Sequence, residues 1–340
     1  MPKFDRSFDV SRLAEWDAAA HPGNAVRALF DQWALPGECS TASRMLRVGI
    51  RDGYLNLYAK GQSVAKLVMR RTGPVVEVHQ TYVSGRRSTA KSDKGTTPGR
   101  QYVSFAADAL ANPEIAALVP GWIAAAESCA GAEKRFVDQL IAANAGAVDL
   151  EMGLPASDLE GGDRAAPRMD LVVGQIAPPG APAIAFWEAK CAHNAELRAS
   201  GASAPKVLAQ VDRYVRWMSE ADCIAEVRQA YRSAAAIFRD LHRLFRAAES
   251  PAPECLDIWN TLAEAEASTV IVHPGIVVCN YSPEHHAGSI ASDRMAQAAA
   301  SFAKNKHRDK LQRAGVQVHQ VGPDHDGPTL PMLPPARTVV

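Results

Sequence analysis

The spacing of apolar residues along this 340-residue chain changes several times, and each change marks an element. In residues 8–34, Leu13, Trp16, Ala20, Val26, Leu29, Phe30 and Trp33 recur at helical spacing. From residue 45 the period shortens. Segments 45–50, 54–58, 63–69 and 75–83 read as strands, with Arg51-Asp52-Gly53 and Thr72-Gly73-Pro74 between them as turns. Short strands joined by tight turns predict a small antiparallel meander.

Segment 84–100 has no such period. It carries Arg86, Arg87, Lys91, Lys94 and Arg100 against one acid, Asp93, and reads as a mobile basic loop or a solvated linker. Helical sequence follows at 102–111 and 113–119, then a longer helix at 130–145. Strands are expected at 168–176 and 182–190, with Pro178-Pro179-Gly180 as their turn. Helices are expected at 204–219, 221–248 and 254–265. Segment 269–279 is strand-like although Pro274-Gly275 interrupts it. A basic helix at 292–313 and a last strand at 316–321 complete the pattern. The stretch from Gly322 holds five prolines, which predicts no fixed structure. The chain is thus expected to divide into a β-rich accessory or recognition domain (1–120), a second domain (121–322) and a flexible tail (323–340).

Composition narrows the function classes. Lys plus Arg number 37 and Asp plus Glu number 37, so the formal net charge is zero. There is no global basic signal for nucleic acid, and any such binding must come from local patches. The apolar runs are too short to span a bilayer, and the first residues lack a signal peptide's apolar region. A cytoplasmic protein with no membrane partner is therefore expected. The six cysteines are scattered without a C-x-x-C pair, which argues against zinc and iron–sulfur sites and for free thiols.

The informative residues are charges in apolar company. Along 182–190, Ile184, Phe186, Glu188 and Lys190 share one strand face, while Ala183, Ala185, Trp187 and Ala189 take the other. Both faces look covered, so this reads as a buried strand with charge at its C-terminal end. Asp170 alternates against Met169, Leu171 and Val173. The short turn permits an antiparallel pairing that brings Asp170 close to Glu188. Two adjacent carboxylates repel unless a proton or cation joins them. Oxygen ligands alone suit Mg²⁺ or Mn²⁺. The plain alternative is an Asp–Lys ion pair with Glu188 exposed.

Glu133 begins a helical stripe of Phe136, Val137, Leu140 and Ile141, and so starts on the core-facing side; alternatively it serves only the helix dipole. Gln210 and Tyr214 lie one helical turn apart, with Lys206, Arg213 and Trp217 nearby. Such a pair can orient a site or grip a phosphate backbone, or belong to an ordinary amphipathic helix. His273 and His285-His286 read as surface loop, and Gly161-Gly162 lacks the strand–helix context of a phosphate cradle. His193 and Asn194 follow Lys190 closely. The helix bearing Lys304, Lys306, Arg308, Lys310 and Arg313 is either a solvated face or a phosphate-tracking one.

The ordered set Glu133, Asp170, Glu188-x-Lys190 and Gln210-x-x-x-Tyr214 resembles the PD-(D/E)XK nuclease superfamily, in its RecB-like branch. The resemblance covers about 130–217. Met169 precedes the aspartate where the family pattern has proline, and the cysteines do not match the iron–sulfur versions. The resemblance implies a restriction-endonuclease-like α/β fold, a mixed central β-sheet flanked by helices. It also implies a Mg²⁺- or Mn²⁺-dependent deoxyribonuclease. Asp170, Glu188 and the Ala189 carbonyl would hold the metal, and Glu133 would complete the shell. Lys190 would act on the attacking water or the phosphate, and Gln210 and Tyr214 would support the site and touch the strand being cut. Nucleic acid, expected to be DNA, would be the partner, with a homodimer or a partner protein bound through residues 1–120. Bacterial defence, restriction or repair is the setting expected of such an enzyme. The alternatives are a catalytically silent relative that binds nucleic acid or protein, and a hydrolase of small phosphoesters.

Overall fold

The computed structural model describes residues 3–84, 101–155, 168–177, 180–200, 203–248, 253–283, 293–322 and 327–334. The basic segment 85–100, Gly161-Gly162, Pro178-Pro179 and His285-His286 lie outside them.

The chain opens with helices α1 (Val10–Ala19) and α2 (Ala25–Asp31). The single helical stretch expected at 8–34 is broken by His21-Pro22-Gly23, and Asn24 caps the restart by accepting from the Arg27 N–H at 2.9 Å. The meander follows as β1 (Leu46–Ile50), β2 (Tyr54–Ala59), β3 (Gln62–Arg70), β4 (Gly73–His79), helix α3 (Gln80–Ser84) and β5 (Tyr102–Phe105). These five strands form one sheet in sequence order, each neighbour antiparallel. Residues 102–105 were expected to be helical. Tyr102, Val103 and Phe105 are strand formers, and pairing with the edge of β4 overrides the helical flank that begins at Ala107. Short helices α4 (Ala107–Leu110), α5 (Pro113–Ala116) and α6 (Val119–Glu127) come next. Helix α6 crosses the expected boundary at 120 and packs on β2, β3 and α3.

Helix α7 (Ala132–Ala143) leads into a second, mixed sheet of β6 (Ala147–Gly153), β7 (Arg168–Ala177), β8 (Ala181–Cys191), β9 (Thr269–Val270), β10 (Gly275–Cys279) and β11 (Val318–Val321). The order is β11-β10-β8-β7-β6, with β9 paired beside β8. Strands β6, β7 and β8 are antiparallel neighbours, and β8, β10 and β11 run parallel. Helices α8 (Val207–Met218), α9 (Ala221–Phe245), α10 (Cys255–Glu264), α11 (Asp293–Lys304) and α12 (His307–Arg313) complete the order. The architecture is therefore mixed α/β, with two multi-strand sheets flanked by helices. The expected 269–279 strand is split at Pro274-Gly275. A Cβ at Gly275 would lie 2.4 Å from the Trp187 ring, so glycine lets β10 close on β8 there. The basic helix is likewise split, by Lys306 in a left-handed turn.

Helix α7 covers one face of the mixed sheet, where Phe136, Val137, Leu140 and Ile141 meet Leu171, Trp187, Ala189 and Val277. Helices α8, α9 and α10 cover the other face, against Val172, Ile184 and Phe186. That cluster also contains Phe4, Trp33, Leu57 and Leu67, so one core crosses from the first sheet to the second. Burying each large apolar side chain contributes roughly 1.5–3 kcal/mol, which makes the shared core the main cohesive term. The stretch 327–334, expected to be loose, is docked. Asn144 bonds Pro328 and Leu330, and Gln175 bonds Leu333 at 2.8 Å. Leu330 and Leu333 cover apolar surface, and these hydrogen bonds satisfy backbone groups that the prolines leave without a ladder. Among the described residues no single helix is long and apolar enough to cross a membrane.

Buried charge also joins the halves. Asp149 of β6 accepts from Arg6 at 2.9 Å, from Arg51 at 2.6 Å and from the Tyr231 hydroxyl at 3.1 Å. Asp138 of α7 accepts from Arg47 at 3.0 Å and Lys60 at 3.1 Å. Burial alone would raise both carboxyls, but the cations beside them hold both below the usual range. Removing one partner of such a cluster leaves uncompensated charge in the interior. Asp149→Ala is expected to cost about 3–5 kcal/mol in urea denaturation. Asp240→Ala, in an exposed pair with Arg243, should stay within about 0.5 kcal/mol. Equal small losses would show that the interior pairs do not hold the halves together.

Candidate active site

Pairing of β7 with β8 sets the geometry. Leu171 stands opposite Trp187 and Val172 opposite Phe186. One step further along, where the ladder ends, come Asp170 and Glu188. Asp170 Oδ2 accepts the Ala189 N–H at 2.8 Å, which fixes its carboxylate against the end of β8. The N–H and C=O of one strand residue point to the same neighbour, so the Ala189 carbonyl faces the Asp170 side too. Glu188 is 1% exposed and Lys190, two residues on and on the same face, is 8% exposed. Lys190 Nζ donates to Glu188 Oε1 at 2.6 Å and lies 3.3 Å from Glu196 Oε2.

Glu133 arrives from the opposite face of the sheet, at the start of α7. Its Oε1 accepts the Cys191 N–H at 3.2 Å and the Asn194 side-chain amide at 2.6 Å. This anchors the carboxylate at the same strand end, where its charge acts on both Glu188 and Lys190. The structure thus brings Glu133, Asp170, Glu188 and Lys190 together. Gln210 joins them from α8. Its amide donates to the Arg168 carbonyl at 3.0 Å and lies close enough to Glu188 to favour the charged carboxylate.

Tyr214 does not join them. It is fully buried, its ring lies 5.2 Å from that of Phe186, and its hydroxyl is sealed from the surface without a partner. The expected contact with a cleaved strand is therefore corrected. The α8 face that carries Val207, Val211, Tyr214, Trp217 and Met218 is the core face, and an aromatic four residues after Gln210 sinks further into it. Two residues that sequence reasoning left aside belong to the site. Asn194 caps the turn Ala195–Leu197 and holds Glu133. Glu196 in that turn is exposed and faces Lys190. The signal available for them was a capping Asn directly after a charged strand end.

The electrostatics are unbalanced. Burial, and next the neighbouring Glu188, push the Asp170 carboxyl well above the usual carboxylate range, against the pull of Lys190 and the Ala189 N–H. Asp170 itself is half-buried. Burial also raises Glu188, with Lys190 opposing. Burial works against the Lys190 charge, but Glu188 more than offsets it and holds the ammonium above the ordinary lysine range. Glu188 Oε2 remains buried without a hydrogen bond. Among the described residues no three His, Cys, Asp or Glu side chains stand at metal-ligand spacing. Here Lys190 satisfies the Glu188 oxygen that a cation would otherwise take. The donor set still fits a hard divalent ion: two carboxylates that repel, a carbonyl on their side, and an orphaned oxygen.

No protein-family model, no curated protein and no solved structure matches this chain.

Because both carboxyls are raised, the folded chain holds their protons more tightly than the unfolded chain. Stability from these groups is complete below the ordinary values of 3.8 and 4.5 and falls as pH rises through the window up to the raised values. Asp170→Asn removes that loss. In chelator at neutral pH it is expected to melt higher than wild type, by about 1 kcal/mol or roughly 2 °C, and the gain should vanish near pH 4. Mg²⁺ should raise the melting temperature of wild type and leave the variant unmoved. A variant that melts lower than wild type in chelator would refute the repulsion.

Proposed function

We propose that this chain is a metal-dependent nuclease that hydrolyses phosphodiester bonds, with DNA as the expected polymer and a PD-(D/E)XK-like site. The observation that supports this is the meeting of Asp170 and Glu188 at the end of a strand pair, beside a lysine on the same face. The restriction-endonuclease-like reading of the mixed sheet rests on the same residues.

Asp170, Glu188 and the Ala189 carbonyl would hold Mg²⁺ or Mn²⁺, with Glu133 acting through water from its anchored position. When bound, such an ion neutralises phosphate charge and lowers the pKa of its water. The protein side of the chemistry follows from the geometry. Lys190 is held as an ammonium, so its part is to donate hydrogen bonds and positive charge to a phosphate oxygen, not to take a proton. Glu188 orients it. Gln210 ties α8 to the first residue of β7 and steadies the floor under Asp170. Asn194 sets Glu133.

A second reading, a silent nuclease-fold module that binds nucleic acid or protein, has one observation in its favour: the Glu188–Lys190 pair already closes on itself. Supercoiled plasmid separates the two. Wild type with Mg²⁺ or Mn²⁺ should nick or linearise it, and Asp170→Ala and Lys190→Ala should each lose about 10²-fold or more. Cleavage by wild type that both variants retain would reject these residues as the site. Binding without turnover, indifferent to EDTA, would favour the silent module.

A further inference from the structure

Strand β6 carries a further acid, Glu151, near this sheet end. In the β6–β7 ladder, Leu150 pairs with Leu171 and Met152 with Met169, so Glu151 stands opposite Asp170. Acids from three adjacent strands, β6, β7 and β8, therefore line one sheet end, with Glu133 above them.

The backbone at Glu151 is unusual. Its φ is +50°, in the left-handed region, which costs a residue with a side chain roughly 1–2 kcal/mol. Glycine would allow that turn without strain. The chain instead keeps a carboxylate there, half-buried, with its nearest cation, Lys134, at a loose 3.9 Å. Independently, the buried Glu188 Oε2 lacks any partner at this strand end, where an ion would supply one.

We propose that Glu151 is a further carboxylate of the cation site, holding the ion's water from the β6 side of Asp170, because no three described acids stand at direct ligand spacing. This rests on reading the cluster as a divalent-cation site. It also gives the first sheet a route to the site: Lys134, which faces Glu151, donates to Gln62 at 3.2 Å, and Gln62 bonds Tyr82 at 2.8 Å.

Mn²⁺ binding to the full chain, read by titration calorimetry, tests the assignment alongside thermal melts in chelator. Glu151→Gln keeps size and drops charge. Glu151→Gly keeps the left-handed turn and removes the carboxylate. Both are expected to weaken Mn²⁺ by about ten-fold or more, within the range for residues that tune a metal site. Glu151→Gly should also melt above wild type. Asp170→Asn should abolish binding. If Asp170→Asn abolishes binding while Glu151→Gln stays within about two-fold of wild type, Glu151 has no part in the site and the cation reading survives. If wild type itself takes up no Mn²⁺, the cation reading fails and this proposal with it. A Glu151→Gly chain with wild-type affinity would likewise reduce Glu151 to a backbone turn.

Discussion

Two carboxylates and one ammonium have been taken out of water at the end of a strand pair, and one ammonium cannot balance two acids. Lys190 neutralises Glu188 at 2.6 Å, which leaves Asp170 with the Ala189 N–H and only the residual pull of that lysine. Desolvated charge of this kind is costly unless it is paired and fully hydrogen-bonded. Replacement by apolar residues would ease the strain at no loss to packing. The arrangement makes physical sense as a place that recruits positive charge: a proton when nothing else is present, or a divalent ion when one is available. Whatever the chain does, a bound cation would answer this deficit.

Such a site is useful only if its members cannot drift apart, and the surrounding construction resists that. Helix α7 brings Glu133 to the strand end and is itself tied to the first sheet through Asp138, Arg47 and Lys60. Strand β6 is tied to the same sheet through Asp149, Arg6 and Arg51. The two anchors sit on the two elements that border β7. The first sheet therefore acts as a clamp on the sheet that carries the acids, and the shared aromatic core of Trp33, Phe238 and Trp259 closes the same joint from the other side. Moving the first sheet would move Glu133 and β6 relative to β7 and β8.

Much of the site was legible because strand periodicity is strict. Alternation placed Glu188 and Lys190 on one face, and a short connection placed Asp170 opposite Glu188. The helical stripe from Phe136 to Ile141 put Glu133 at the edge of the core. What escaped depends on tertiary context. Strand β6 was hidden because Asp149 and Glu151 interrupt its apolar residues; each acid is explained only by cations or acids from distant parts of the chain. Its left-handed turn has no sequence signature at a glutamate. Tyr214 was misjudged because helical spacing gives the side of a helix and not the depth to which a residue sinks. Residues 102–105 became strand because an unpaired β4 edge was waiting for them. The docked 327–334 stretch shows that proline-rich sequence can be held by another element's hydrogen bonds when its few leucines have a surface to cover.

The position of Glu196 bears on how the deficit could be answered without expelling the lysine. Lys190 has two carboxylate partners of different kinds, one buried and one exposed. If a divalent ion takes Glu188, the ammonium keeps Glu196, whose solvated carboxylate loses little by the exchange. The buried face would then hold two carboxylates against a charge of two, and Lys190 would be turned toward solvent, where the proposed phosphate would meet it. An arginine in its place would grip Glu188 in a two-point fork and resist that release. A lysine between an inner and an outer acid can yield one oxygen and keep the other, and that difference separates a closed ion pair from a site with work to do.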